Sequence, residues 1–187
     1  MKTPLYLIVG ASGSGKDYIV DKICKELDMT RVISRTTRRS RGANDLHIFV
    51  DACTAGEEIG RSIARTDYNG NLYYVLPEDI EDADFYIIDV KGVYTLFNEQ
   101  DKGIPCLQRD IEIIFIDAPW YVRFINMIKR GDKLKDIFRR LSVDRIEFDE
   151  FEGDYNFNSS NDVYNFFKRY SKIIQLRGNY NVYNEKE

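Results

Sequence analysis

Gly10-Ala11-Ser12-Gly13-Ser14-Gly15-Lys16-Asp17 is a G-x-x-x-x-G-K stretch that ends in Asp where Ser or Thr is usual. Before it, Leu5-Tyr6-Leu7-Ile8-Val9 is a short apolar run of the kind that forms a buried strand. After it, Ile19, Val20, Ile23 and Leu27 recur at helical spacing. A glycine-rich turn between a strand and a helix is what a phosphate cradle requires. Glycines let successive backbone N–H groups curl inward, the helix N-terminus adds partial positive charge, and Lys16 brings a full one. The bland alternative is a strand–helix turn that binds nothing; the flanking strand and helix argue against it.

Working outward, Thr30-Arg31-Val32-Ile33-Ser34 reads as a second strand. It leads into Arg35-Thr36-Thr37-Arg38-Arg39-Ser40-Arg41, where arginines and hydroxyls alternate before a turn at Gly42 to Asp45. Such a run is commonly a solvated face. Beside a phosphate loop it reads as a second phosphate site, because an arginine fork suits a phosphate monoester. Leu46 to Val50 is a strand, and Ala52 to Ile59 a weak helix broken by Gly56 and ended by Gly60. Ser62 to Tyr68 and Leu72 to Val75 form a hairpin about Asn69-Gly70-Asn71, a small lobe inserted in the α/β alternation.

The alternation resumes with a short helix at Pro77, the strand Phe85 to Asp89, the helix Val93 to Gln100 and the strand Ile111 to Asp117. Asp89 closes its strand with a carboxylate, the position from which an acid can hold Mg²⁺. Two helices follow. Tyr121 to Lys129 places Val122, Ile125 and Ile128 on one face, and Leu134 to Phe148 carries Ile137, Phe138, Leu141 and Ile146. A polar strand at Tyr155 to Asn158, a helix at Val163 to Tyr170 and an edge strand at Ile173 to Leu176 complete the chain.

Composition bounds the partners. Apolar residues make up 43% of 187, enough for one packed domain. A net charge of −4 argues against nucleic-acid binding, and no run is long enough to cross a membrane. Cys24, Cys53 and Cys106 fit neither zinc spacing nor a disulfide framework, consistent with a reducing, cytoplasmic setting. His47 is the single histidine, so any histidine-based chemistry would have to centre on it.

In order and spacing, these motifs resemble the guanylate kinase family of nucleoside monophosphate kinases, over roughly Leu5 to Tyr170. Besides the loop, the resemblance rests on Ile33-Ser34-Arg35-Thr36-Thr37-Arg38-Arg39-Ser40-Arg41, Gly70-Asn71-Leu72-Tyr73-Tyr74 and Ile88-Asp89-Val90-Lys91-Gly92. It extends to Ile114-Phe115-Ile116-Asp117-Ala118-Pro119, Arg130-Gly131 and Arg140-Leu141. It implies a three-layer α/β P-loop NTPase fold with a parallel central sheet, a small antiparallel acceptor-binding lobe and a helical lid. Residues 1–187 would form a single domain, with core 1–34, 84–120 and 150–187, lobe 35–83 and lid 121–149.

The implied activity is phosphoryl transfer from ATP with Mg²⁺ to a nucleoside or deoxynucleoside 5′-monophosphate, with GMP or dGMP the first expectation. Gly10, Ala11, Ser12, Gly13, Ser14, Gly15, Lys16, Asp17 and Tyr18 would hold ATP, with Asp17 and Asp89 at the metal. Arg38, Arg41, His47 and Tyr73 would hold the acceptor phosphate, with Ser34 near the acceptor base and Asp89 near the acceptor. Lys16, Arg38, Arg130 and Arg140 would neutralise the transferring phosphoryl group. The partners are small nucleotides, and the protein would be a monomer or homodimer.

Several positions depart from the pattern. Asp17 replaces a hydroxyl ligand, Ala64 falls where the family carries a guanine-reading Glu, and His47 replaces a tyrosine. Asn126 replaces a lid arginine, although Arg123 lies nearby. The loop ending, the missing Glu, His47-Ile48 and Asn69 to Tyr74 are also similar to ribose 1,5-bisphosphate phosphokinases. A non-catalytic guanylate-kinase-like binding module is a further alternative, although such modules typically lose the lysine kept here as Lys16.

Overall fold

A computed structural model describes residues 4–40, 42, 45–68 and 70–171. Arg41 and the segment Ile173 to Leu176 lie outside the described residues. At the centre is β1 (Leu5–Gly10), every residue of which is buried. It is flanked by two parallel neighbours, β6 (Phe85–Ile87) and β7 (Ile111–Ile116), and β8 (Tyr155–Phe157) adds to β7, giving the parallel order β6-β1-β7-β8.

Alternation along β1 feeds two cores, one per face of the sheet. Tyr6 and Ile8 pack with Ile19, Val20 and Ile23 of α1 (Lys16–Leu27) and with Val163 and Phe167 of α7 (160–171). Leu5, Leu7 and Val9 pack with Val93 and Leu96 of α4 (Val90–Asp101), with Ile80 of α3 (Pro77–Ile80) and with Phe115. Helices on both faces explain why β1 is apolar throughout rather than alternating.

The second sheet has the order β3-β2-β5-β4, from β2 (Arg35–Thr36), β3 (Ile48–Phe49), β4 (Ala64–Tyr68) and β5 (Asn71–Val75). It is antiparallel except for β2 with β3. Gly70, at φ +71°, supplies the left-handed residue of the β4–β5 hairpin. One face of the sheet packs Tyr74, Leu72 and Leu76 on Ala55 of α2 (Ala52–Glu58).

Four local expectations are corrected. Thr30 to Ser34 is not a regular strand; it makes one bridge, Arg31 to Phe85, before the chain leaves the core sheet for the lobe. α2 runs through Gly56 unbroken, helped by the Asp51 carboxylate accepting from Thr54 N–H at 2.8 Å. In α5 (Trp120–Arg130) the inward residues are Arg123 and Met127, while Ile125 and Ile128 are exposed. Likewise α6 (Leu134–Glu147) buries Ile137 and Asp144 but leaves Phe138 and Ile146 exposed. The reason for the turned face lies in the phosphate loop.

Candidate active site

The loop between β1 and α1 is shaped by glycines at positions where a side chain cannot stand. Gly13 and Gly15 have φ of +81° and +90°. A Cβ on Gly13 would lie 2.6 Å from the Arg123 carbonyl oxygen. Gly15 is also the N-cap of α1 and offers no side chain to the first helical N–H groups, leaving them to a ligand. Lys16 Nζ folds back and donates to the carbonyls of Gly10 at 2.5 Å and Ala11 at 3.1 Å. Burial pushes this ammonium below its ordinary value, with opposing contributions from Asp17 and Asp144.

α5 and α6 fasten the loop from outside. Arg123 Nε donates to Ser12 O at 3.0 Å, and its Nη2 donates to Asp144 Oδ2. Asp144 also accepts from Ser12 N–H at 2.8 Å. Asn126 Nδ2 donates to Gly13 O at 2.8 Å. Loop carbonyls and amides that bend away from regular structure need partners, and these three side chains supply them. The sequence named Arg123 and Asn126 only as departures, and nothing local in it pointed to Asp144.

A cleft of about 1010 Å³ gathers Lys16, Asp17, Arg38, Tyr73, Arg130 and Arg140 on one wall or another. His47 and Tyr18 also line it. The structure therefore brings the phosphate loop, the arginine segment and the α5–α6 arginines to one space. Arg38 Nε donates to the Tyr73 hydroxyl at 2.9 Å, and its Nη1 and Nη2 donate to Asp45 at 2.8 and 2.9 Å. His47 Nδ1 lies 3.0 Å from the same carboxylate, and its ring meets Tyr73 edge-on at 5.7 Å. Arg130 pairs with Asp132.

A smaller pocket of about 220 Å³ adjoins His47 and Tyr73 and is lined by Ser34, Thr66, Tyr86 and Asp89. Asp89 caps α4, accepting from Gly92 N–H at 2.7 Å, and also accepts from Thr66 Oγ1 at 2.8 Å. Ala64 is buried in the core, so no acceptor faces the pocket from that position. Thr66, two residues on and on the same strand face, does line it. Period-two reading from Ala64 was the available signal for Thr66.

The two acids expected at a metal line different cavities. Asp17 lines the large cleft, is mostly exposed, and lies 3.4 Å from Arg31. Asp89 lines the smaller pocket. Among the described residues no three His, Cys, Asp or Glu side chains gather to hold a metal ion. Asp17 alone fits Mg²⁺ of the kind that takes one carboxylate and completes its shell with water and phosphate oxygens.

No family model matches the chain, and no curated protein matches it by sequence. A solved structure does: guanylate kinase from Anaplasma phagocytophilum, at 18% identity and a TM-score of 0.57. The match covers 94% of this chain and 86% of that one. The fold is guanylate-kinase-like. It is an α/β fold of the P-loop NTPase kind, with a parallel four-stranded central sheet. No helix among the described residues is long and apolar enough to cross a membrane.

Proposed function

We propose that the protein transfers a phosphoryl group from Mg²⁺-ATP to a small phosphorylated acceptor, a nucleoside or deoxynucleoside 5′-monophosphate, with GMP and dGMP tried first. The observation that carries this is the shared cleft: Lys16 and the loop amides on one side, the Arg38–Tyr73 clamp on the other. The loop would hold the ATP phosphates, and Lys16 would exchange its contacts to Gly10 and Ala11 for phosphate oxygens. Arg38, Arg41 and His47 would hold the acceptor phosphate, Ser34 would face the base, and Asp89 would serve the acceptor and the metal.

Mg²⁺, held through Asp17 and water, would supply charge neutralisation to the phosphates. Arg130 and Arg140 would neutralise the equatorial oxygens of the moving group. The acceptor oxygen is already anionic, so no side chain is needed to remove a proton.

Release of ADP tests this across all common nucleoside and deoxynucleoside monophosphates, with Lys16→Ala as the inactive control. No ADP from any of them refutes the nucleotide reading. The buried Ala64, which leaves guanine without its usual partner, is the reason to include ribose 1,5-bisphosphate. Turnover with that acceptor alone would move the assignment to a phosphorylated pentose.

A further inference from the structure

Arg38, which lines the cleft, spends nearly all its donors within the protein. A guanidinium has five N–H donors. Nε–H goes to Tyr73, Nη1 gives one hydrogen to Asp45 and one to the Arg39 carbonyl, and Nη2 gives one to Asp45. The two contacts to Asp45, at 2.8 and 2.9 Å, form a parallel fork between side chains that are each 11% exposed. That fork is the edge that fits a carboxylate and a phosphate equally well. Asp45 thus sits on Arg38 as a phosphate would.

We propose that Asp45 is a resident anion in the acceptor-phosphate seat, a specificity-determining residue that an incoming phosphate must displace. This rests on Arg38 being the acceptor-phosphate clamp. Coexistence is disfavoured on two grounds. One Nη2–H cannot give a phosphate the two parallel bonds that the fork provides. A phosphate drawn to the same guanidinium would also sit against the Asp45 carboxylate, and like charges juxtaposed in a binding site are costly.

Displacement requires Asp45 to leave both Arg38 and His47. Asp45 lies between β2 and β3 with no regular structure, in a turn closed by Asp45 N–H donating to Gly42 O at 3.1 Å, and it lines the open cleft. A rotation of its side chain vacates the fork. Its neighbour His47 loses one acceptor in that step and gains the arriving phosphate as another. The consequence is selection. A monoanionic group merely replaces one carboxylate-like partner by another, whereas a phosphate dianion brings more charge than it expels. Acceptors with a terminal phosphate monoester are favoured over diesters and carboxylates.

The test uses the full chain and methyl phosphate at pH 8 as the probe, with binding followed by calorimetry. Removing a competitor that holds the fork about nine-tenths of the time should tighten apparent binding about tenfold. Asp45→Asn and Asp45→Ser are therefore both expected to lower the Kd for methyl phosphate, and adding Arg38→Met should abolish the gain. In the unaltered chain, the Asp45 side-chain carboxyl ¹³C resonance should shift as methyl phosphate saturates, a measurement that needs no variant to fold. An unchanged or raised Kd in both variants, an unmoved carboxyl signal, or no methyl phosphate binding by any form overturns the proposal; an unchanged or weaker affinity would make Asp45 a strut for Arg38.

None of these readouts needs turnover. A kinase panel that fails while methyl phosphate still displaces Asp45 therefore refutes the activity and leaves the exchange standing. Where turnover is found, Asp45→Asn should lower the acceptor KM rather than raise kcat.

Discussion

Asp144→Ala removes one carboxylate from a place where two donors depend on it. Arg123 and Asp144 are 8% and 7% exposed, and Asp144 Oδ2 receives both the Arg123 guanidinium and the Ser12 amide. Breaking a buried ion pair from one side costs about 3–5 kcal/mol, because the remaining charge is left without a partner. The orphaned Ser12 N–H adds roughly 1–3 kcal/mol when taken alone. The two overlap, since Arg123 retains its bond to Ser12 O and water can enter where the side chain is lost.

The expected loss for Asp144→Ala is therefore about 3–5 kcal/mol, a large share of the roughly 5–15 kcal/mol typical of a domain. Urea unfolding of the wild type, Asp144→Ala, Arg123→Met and the double variant gives the coupling directly. The double variant should recover much of the loss, because an apolar pair of similar volume is often neutral there. It should nevertheless bind pyrophosphate more weakly, since neither replacement can hold the Ser12 backbone. A single-variant cost below about 1 kcal/mol, or a coupling near zero, would refute the claim that this pair fastens the loop.

Gly13→Ala should abolish stabilisation by Mg²⁺-ATP in thermal melts, because the new Cβ meets the Arg123 carbonyl at 2.6 Å and φ is +81°. Asn126→Leu should lower stability by roughly 1 kcal/mol, the net worth of its bond to Gly13 O, and weaken pyrophosphate binding in calorimetry. Glu147 is held above its ordinary value of 4.5 by burial, then by Asp89 and Asp144. The native state thus binds more protons than the unfolded chain, and Glu147 takes stability away as pH rises upward of 4.5. Glu147→Gln should gain on the wild type in melting temperature as pH rises above 4.5; a constant offset would contradict the raised value.

How much of this was legible in the sequence depends on how local the signal was. The phosphate loop could be read because its glycines, its strand and its helix are contiguous. The motif order put Arg38 and Tyr73 on one acceptor phosphate, an expectation of role; what the structure adds is a 2.9 Å hydrogen bond between them. The inward face of α5 could not be read in the same way. Apolar periodicity chose Ile125 and Ile128, but the helix lies against a loop whose bent backbone needs donors, so Arg123 and Asn126 turn inward. Asp144 contacts an amide 132 residues away, which no window of sequence reveals. Asp45 was hidden differently: after an arginine run it reads as an ordinary turn residue, and only the fork geometry gives it a role.

Arg31, Arg38 and Arg130 of this cleft, and Arg123 against the loop between β1 and α1, share one arrangement, and its gradation sorts their tasks. Arg31 pairs with Asp17 and Asp21, Arg38 with Asp45, Arg123 with Asp144 and Arg130 with Asp132. A chain of net charge −4 can therefore carry an arginine-lined cleft, because the positive charge is compensated within the protein. Under the proposed function, phosphate binding would be an exchange whose cost follows the burial of the pair. Asp17 at 72% exposed and Arg130 at 49% belong to pairs worth about 0–1 kcal/mol, easily traded for phosphate or metal contacts. The Arg123–Asp144 pair is buried and acts as scaffold, since opening it would strand a charge. The Arg38–Asp45 fork, its side chains 11% exposed against 10% for Arg123 and Asp144, is covered almost as fully and yet lines the cleft. Under the proposed exchange an incoming phosphate would have to replace this covered carboxylate, and the selective step of acceptor binding would lie at Asp45.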